Sequence, residues 1–516
     1  MSAGIEAADL AARIGAQLLG ADAAGALLTG ASLDSRSVGP GDLYCALPGS
    51  RVHGAAFAQQ AAQAGAAAAL TDAAGASLCT DTGLPVLLHE DPRRASAEAA
   101  ALIHHRPAER LRTVGVTGTN GKTSVTTMLR SALLDLGVPT GVMGTSGTVF
   151  RGADGTDHEI ATVRTTPESP DVQAILAQMA RAGTAVAAME VSSHAMVLHR
   201  ADAIVFDAVC FTNLSQDHLD FHPTMEDYFA AKASLFAPEH ARAGVVCVDD
   251  EWGRRLAQSA RIPVRTFTTD PAREADAVIT RIAPDGFGAD LRVRRTGGEE
   301  ISLRAPLPGT HYAANAVAVM LLLEQIGHEG AAARAAIARA GSVPGRMELI
   351  SQEPVLGVVD FSHTEDALRK ALATLRAVPS TRRLIVVMGA GGDRDRSKRP
   401  AMGRAAAELA DVVIVTDDNP RSEDPASIRA EVLQGAHAAA AAAEIHEVPG
   451  RSDAIALACA LADESDTILV AGKGAETGQD VGGTVLPFDD REELRRRLAV
   501  APPADSTLPP HPAEGR

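Results

Sequence analysis

Short apolar runs recur along the chain, each closing on a cluster of Gly, Asp, Asn, Ser or Thr. The clearest are "RTVGVTG" (112–118), "AVAAMEV" (185–191), "AIVFDAVCFT" (203–212), "AGVVCVD" (243–249), "RLIVVMG" (383–389), "DVVIVT" (411–416) and "DTILVAG" (466–472). Short apolar runs bounded in this way predict strands. Between them lie alanine-rich stretches of helical period, such as "SVTTMLRSALLDLG" (124–137) and "YFAAKASLF" (228–236). Strand and helix in alternation predict α/β architecture with mostly parallel sheets, whose ligands sit in the loops after the strands. The low-complexity run "AHAAAAAAEI" (436–445) reads as plain helix.

At 516 residues the chain exceeds one ordinary domain, and about 100 to 200 residues per domain predicts three. The first runs over 1–109, with "HHRPAER" (104–110) as a linker; the second over 110–343; the third starts near "GSVPGRME" (341–348) and covers 344–499. The proline-rich residues 500–516 read as a disordered tail. Hydrophobic residues make up 46% but aromatics only 3%, so the elements are expected to pack through small side chains. A net charge of −17 argues against a nucleic-acid binder. The five cysteines lack C-x-x-C spacing, which fits a reducing compartment and no zinc site. The N-terminus has no basic n-region and no apolar run spans a bilayer, so a cytoplasmic protein without membrane insertion is expected.

One stretch carries explicit chemistry. "GVTGTNGKTSV" (115–125) joins a strand to a helix as a phosphate loop does, yet the pattern G-x-x-x-x-G-K-[ST] asks for glycine where Val116 stands. In that context Gly118 and Gly121 admit phosphates close to the backbone, Lys122 reaches the β/γ oxygens and Thr123 can ligate Mg²⁺. The helix start adds oriented N–H groups.

The loop "TGTNGKTS" resembles that of the Mur ligase superfamily, ATP-dependent enzymes that build the peptidoglycan stem peptide, in which the early glycine is not required. Further motifs follow in order: "LDSRSVGPGDLYCALPG", "RTTPE", "MEVSSHAM", "FTNLSQDHLDFH", "YFAAKASLF", "GRME", "VDFSHTEDAL", "GAGGDRDRSKRPAMG", "TDDNPRSEDP" and "GKGAETGQ". The resemblance covers nearly all of residues 1–499 and is strongest to members that add a diamino acid to UDP-N-acetylmuramoyl-L-alanyl-D-glutamate. It implies a smaller N-terminal α/β domain that binds UDP, a central P-loop-type domain with a mostly parallel sheet and helices on both faces, and a Rossmann-like C-terminal domain that binds the amino acid. It also implies amide formation through an acyl phosphate by a monomer. The third block would close over the second to exclude water.

Site residues carry over motif by motif. The nucleotide loop spans Gly118, Thr119, Asn120, Gly121, Lys122, Thr123 and Ser124, with Asn315 near adenine and Arg346 and Asp360 at phosphate and ribose. One Mg²⁺ is implied on Thr123 and Glu190, and a second on His218 and Lys232, the latter carbamylated by CO₂. From the sequence by itself Lys232 is an ordinary solvated lysine and His218 an ordinary loop histidine. Ser35, Arg36, Thr165, Thr166, Ser192 and Arg200 match residues around the UDP-sugar peptide. Arg394, Asp418, Asn419, Arg421, Gly472 and Glu476 match the amino-acid pocket, with Glu476 for the distal ammonium. A buried Arg421 could bind the second carboxylate of diaminopimelate bidentately, and lysine, lacking that group, would leave it unpaired.

The chain departs from the family at His311-Tyr312, where Phe-Asn is frequent, at Phe361, Ser362 and Glu365, where Tyr, Ala and Pro are common, and at Ala475, where histidine is usual. These leave open a paralogue with another acceptor, in place of meso- or LL-diaminopimelate, and a decayed nucleotide-binding protein. A folate-extending relative fits less well, because that family lacks the N-terminal block.

Overall fold

The computed structural model describes residues 4–20, 25–49, 51–162, 164–219 and 221–498. The expected tail, 500–516, lies outside the described residues. The chain divides into two compact units: Met1–Val278 with Arg294–Glu299 and Val317–Arg339, and Ile279–Val293 with Glu300–Ala316 and the chain from Ala340 onward.

Beside a two-stranded pair of Ile5–Glu6 and Leu27–Leu28, the first unit contains a five-stranded sheet and most of an eleven-stranded one. Its N-terminal sheet runs Gln17–Leu19, Val86–Leu88, Ala68–Thr71, Asp42–Cys45, Gly30–Ser32, parallel except for its first pair. The larger sheet places strand Arg112–Thr117 between Val186–Glu190 and Ala208–Phe211, parallel to both; Gly244–Cys247 and Val264–Thr268 continue it in parallel. Every residue of Val186–Glu190, Ala208–Phe211 and Gly244–Cys247 is buried, the reason these strands read as unbroken apolar runs. Helix Lys122–Asp135 buries Val125, Met128, Leu129, Ala132 and Leu133, one face at a spacing of three and four.

The second unit centres on a six-stranded sheet in the order Glu348–Ser351, Leu356–Asp360, Thr467–Ala471, Leu384–Met388, Val412–Val415, Glu444–Glu447. Only its first pair is antiparallel. A fully buried pair, Arg451 and Asp490 at 2.7 Å, joins helix Arg451–Leu461 to helix Asp490–Arg497.

Two expectations need correction. The alanine run is not all helix: helix Pro425–His437 ends two residues into it, and the chain turns to enter Glu444–Glu447. Four parallel pairings with Val412–Val415 fix that turn and outweigh the small helical preference of alanine. The run 203–212 is strand only over Ala208–Phe211. Ala203 is left-handed at φ 61°, and the Asp207 carboxylate accepts Thr113 N at 2.9 Å and Arg112 Nη1 at 3.0 Å, so it anchors the strand's start. No described helix is long and apolar enough to cross a membrane. All five cysteines are free and all but Cys459 are buried.

Candidate active site

Val116 lies inside strand Arg112–Thr117, fully buried and paired with Glu190 on one side and Cys210 on the other. The loop therefore begins only at Gly118, and a glycine at 116 would have no turn to serve. Gly118 has φ 143°, and a Cβ there would lie 1.9 Å from Thr212 Oγ1. Gly121, left-handed at φ 88°, precedes helix Lys122–Asp135 without a side-chain cap, which leaves the first helical N–H groups for an anion.

Two lysines converge on this loop. Lys122 Nζ donates to Gly118 O at 2.8 Å and Thr119 O at 3.0 Å, and Lys232 Nζ donates to the same Gly118 O at 2.9 Å. Lys232, at the end of helix Met225–Ala233, is only 1% exposed. Burial, then the charge of Lys122, push its ammonium well below the ordinary lysine range. Burial also lowers Lys122, against the pull of Glu190 and Asp217.

Glu190, the last residue of its strand and 1% exposed, is raised by burial, while hydrogen bonds from Thr145 and Thr123 and the charge of Lys122 oppose this. Thr145 donates to it twice, from N at 2.9 Å and from Oγ1 at 3.1 Å. The same hydroxyl lies 3.1 Å from Thr165 Oγ1. Thr166 Oγ1 donates to Glu190 O at 2.8 Å and accepts from Ser192 N at 3.1 Å, and Ser192 Oγ caps helix Ser193–Val197. Arg200 lies 2.8 Å from Glu168 and donates to Thr166 O at 3.4 Å. Thus the lysines, Thr123, Glu190, Thr165, Thr166, Ser192 and Arg200 form one connected group.

His218 is exposed and left-handed at φ 53°. Its ring stands edge-on to His194 at 4.9 Å and to Tyr228 at 6.1 Å. Ser35 and Arg36 form a separate group after strand Gly30–Ser32: Ser35 Oγ donates to Gln60 Oε1 at 2.9 Å, and exposed Arg36 pairs with Asp34 at 2.7 Å. That pairing holds the Asp34 carboxyl below the usual range.

In the second unit, Asp360 ends strand Leu356–Asp360 and accepts Met347 N at 2.7 Å and Ser362 N at 2.9 Å. Arg346 lies 4.6 Å over the Phe361 ring, and Asn315 is buried on helix Thr310–Gln325. Burial, with the nearby Asp360 charge, raises the Tyr312 hydroxyl far above its usual range. The last cluster rises from the carboxyl ends of three adjacent parallel strands. A Cβ on Gly391 would stand 3.1 Å from Arg421 Nη1 and 3.8 Å from Arg394 Cγ, so the two arginines flank one glycine. Arg421 is half-buried, not buried as expected, because it projects from a left-handed turn at φ 51°; its Nη1 donates to Gly392 O at 2.7 Å. Asn419 Nδ2 donates to Glu476 Oε2 at 2.9 Å. Gly472 has φ 120°, and a Cβ there would meet Asp418 Oδ2 at 2.5 Å.

Sequence reasoning missed Thr145, Asn213 and Lys473. Asn213 clamps the loop backbone, accepting Asn120 N at 3.0 Å and donating to Asn120 O at 3.2 Å. The signal for Thr145 and Asn213 was position alone: polar residues just after strands Thr140–Gly144 and Ala208–Phe211.

Comparisons with known proteins give the same outline. Three stretches match the Mur ligase family: its catalytic domain over residues 28–111, its middle domain over 116–323 and its glutamate ligase domain over 345–474. The chain is 46% identical over 474 residues to UDP-N-acetylmuramoyl-L-alanyl-D-glutamate–2,6-diaminopimelate ligase of Streptomyces coelicolor, covering 91% of this chain and 92% of that protein. It is 43% identical over 500 residues to UDP-N-acetylmuramyl-tripeptide synthetase of Leifsonia xyli, with 96% of each covered. A solved structure of a UDP-N-acetylmuramoyl-L-alanyl-D-glutamate–2,6-diaminopimelate ligase matches with TM-score 0.69 and 30% identity, over 92% of this chain and 95% of that one.

Proposed function

The chain belongs to the Mur ligase family, and from that premise we infer that it is an ATP-dependent ligase that joins diaminopimelate to UDP-N-acetylmuramoyl-L-alanyl-D-glutamate. The observation that carries this reading is the convergence of Lys122 and Lys232 on Gly118 O beside a buried Glu190 bonded by Thr123, in a chain 46% identical to a ligase of that name.

A carboxylate resists amine attack because its oxygen is a poor leaving group. Transfer of the γ-phosphoryl of ATP to that oxygen gives an acyl phosphate, and the amine then displaces phosphate through a tetrahedral intermediate. The enzyme must offset crowded negative charge and align the reactants. Lys122, freed from the Gly118 and Thr119 carbonyls, and the uncapped helix start suit the phosphates. Thr165, Thr166, Ser192 and Arg200 are proposed to hold the sugar and D-glutamyl parts, with Ser35 and Arg36 at the uridine end. Thr145, bonded to both Glu190 and Thr165, ties the phosphate side to the acyl side. Asn315, Arg346 and Asp360 are assigned to adenine, phosphate and ribose.

The donor set fits Mg²⁺ with one condition. Among the described residues no three His, Cys, Asp or Glu side chains form a metal site, so hydroxyl and lysine-derived oxygens must complete it. Thr123 and Glu190 supply hard oxygens for one ion. His218 and Lys232 would hold a second only if Lys232 is converted to an anion. Burial favours its neutral amine over the ammonium, and the neutral amine is the form that can add CO₂, giving a carbamate and releasing a proton. Mg²⁺ bound there would neutralise phosphate and carboxylate oxygens as charge develops.

For the acceptor, Asn419, Arg421 and Arg394 are assigned to the distal carboxylate, with Asp418, Gly472 and Glu476 around the rest of the chain. Half-buried Arg421 has donors left to bind that group. Domain boundaries near 109 and 343 are proposed, supported by family matches over 28–111, 116–323 and 345–474.

The test is ADP release from ATP and Mg²⁺ in the presence of the UDP-dipeptide and diaminopimelate. Release that requires both substrates is expected; release indifferent to the UDP-dipeptide would refute the reading.

A further inference from the structure

Lys473 lies between Gly472 and Gly474 and is completely buried. Its ammonium has three donors, which go to Asn419 Oδ1 at 3.1 Å across the chain and to Glu476 Oε2 at 3.1 Å and Gly478 O at 2.6 Å in its own loop. Asn419 Oδ1 also accepts Asp480 N at 3.0 Å. Asp480 O in turn accepts Arg421 N at 3.0 Å, and Gly482 N donates back to Arg421 O at 2.8 Å. One buried cation therefore fixes Asn419 and Glu476 directly. Through the hairpin strand Gly478–Val481 it also fixes the left-handed backbone from which Arg421 projects.

We propose that Lys473 is a positioning residue that sets recognition of the amino-acid acceptor, an inference that rests on the ligase reading above. With Lys473 and Asn419 on Glu476 Oε2, only Oε1 is left for an acceptor ammonium. The carboxylate side chain is thereby oriented, and part of its charge is balanced from beneath. Asn419 is oriented in the same way, since Lys473 occupies its oxygen and Glu476 its nitrogen. The spacing between the carboxylate-binding arginine and the ammonium-binding glutamate thus depends on a residue that touches neither end of the acceptor. An uncharged side chain at 473 would leave Asn419 Oδ1, Glu476 Oε2 and Gly478 O short of a donor, and they would turn to water or to the acceptor itself.

The test uses the full chain and a nucleophile that bypasses the pocket. Hydroxylamine traps the acyl phosphate as a hydroxamate in the presence of ATP, Mg²⁺ and the UDP-dipeptide, with no diaminopimelate present. For Lys473→Met, the KM for diaminopimelate is expected to rise about 10-fold or more, the scale of an unmatched buried polar group. Hydroxamate formation and the KM for ATP stay within about twofold, as for sites without shared partners. Lys473→Gln, which keeps a donor, is expected to fall between the two and serves if the methionine variant does not fold. An unchanged KM for diaminopimelate in either variant, or equal loss of hydroxamate and ligation, would overturn the proposal. Wild-type protein that forms no hydroxamate would overturn the ligase reading beneath it, and this proposal with it.

Discussion

At the scale of single residues, the chemistry depends on side chains whose surroundings reverse their ordinary behaviour. Lys232 carries a motif lysine into a site that is 1% exposed, under a second lysine and against one carbonyl. Incubation with isotopically labelled CO₂ is expected to give a carbamate carbon signal in the wild type and none in Lys232→Met. Equal signals from both would remove the lysine from the proposed metal site. Another buried residue predicts a pH effect. Burial, assisted by Arg181 and His105, pushes the His104 imidazole down to about 4, from an ordinary value of 6.5. A depressed histidine stabilises the fold above its unfolded pKa, and this contribution is lost as pH falls from 6.5 towards 4. Between pH 8 and pH 5 the loss attributable to His104 is expected to be about 2 kcal/mol. Denaturant unfolding should show His104→Gln losing less than the wild type over that interval.

At the scale of elements, the strands and the phosphate loop were legible because their information is local. "RTVGVTGTNGKTS" holds strand, turn, lysine and helix start in thirteen consecutive residues, whereas the role of the anomalous Val116 came from its pairing with Glu190 and Cys210. What was not legible was contact across the chain. Thr145 meets Glu190 over 45 residues, Asn213 clamps Asn120 over 93, and Lys473 reaches Asn419 over 54. No periodicity encodes such pairings. The alanine run misled for a related reason: helix propensity is local, and the parallel pairing that overrode it is not. The Arg451–Asp490 pair is another long-range joint, one that holds two helices. Asp490→Ala would leave Arg451 buried and hydrogen-bonded to carbonyls, Ala471 O at 2.8 Å and Asp417 O at 3.4 Å, with the charges of Asp418 and Glu476 nearby but no bonded carboxylate. A loss of about 3 kcal/mol is expected, seen as a lower calorimetric transition. Adding Arg451→Met should recover part of it, since an apolar replacement leaves no charge to desolvate.

At the scale of the whole molecule, the family match and the site geometry meet in one claim about substrate choice. Family motifs are present from Ser35 to Glu476, and the departures at Phe361, Ser362 and Ala475 fall in loops that leave the Lys122, Glu190 and Lys232 cluster intact. Phe361 even contributes a face for Arg346. The most direct measurement compares meso-diaminopimelate, LL-diaminopimelate and L-lysine as acceptors, with purified protein, ATP, Mg²⁺ and the UDP-dipeptide, and reads the product by mass. The account predicts ligation of a diaminopimelate isomer, with lysine disfavoured by about two orders of magnitude because it gives Arg421 no carboxylate. Ligation of lysine at a comparable rate, or of none of the three, would contradict it.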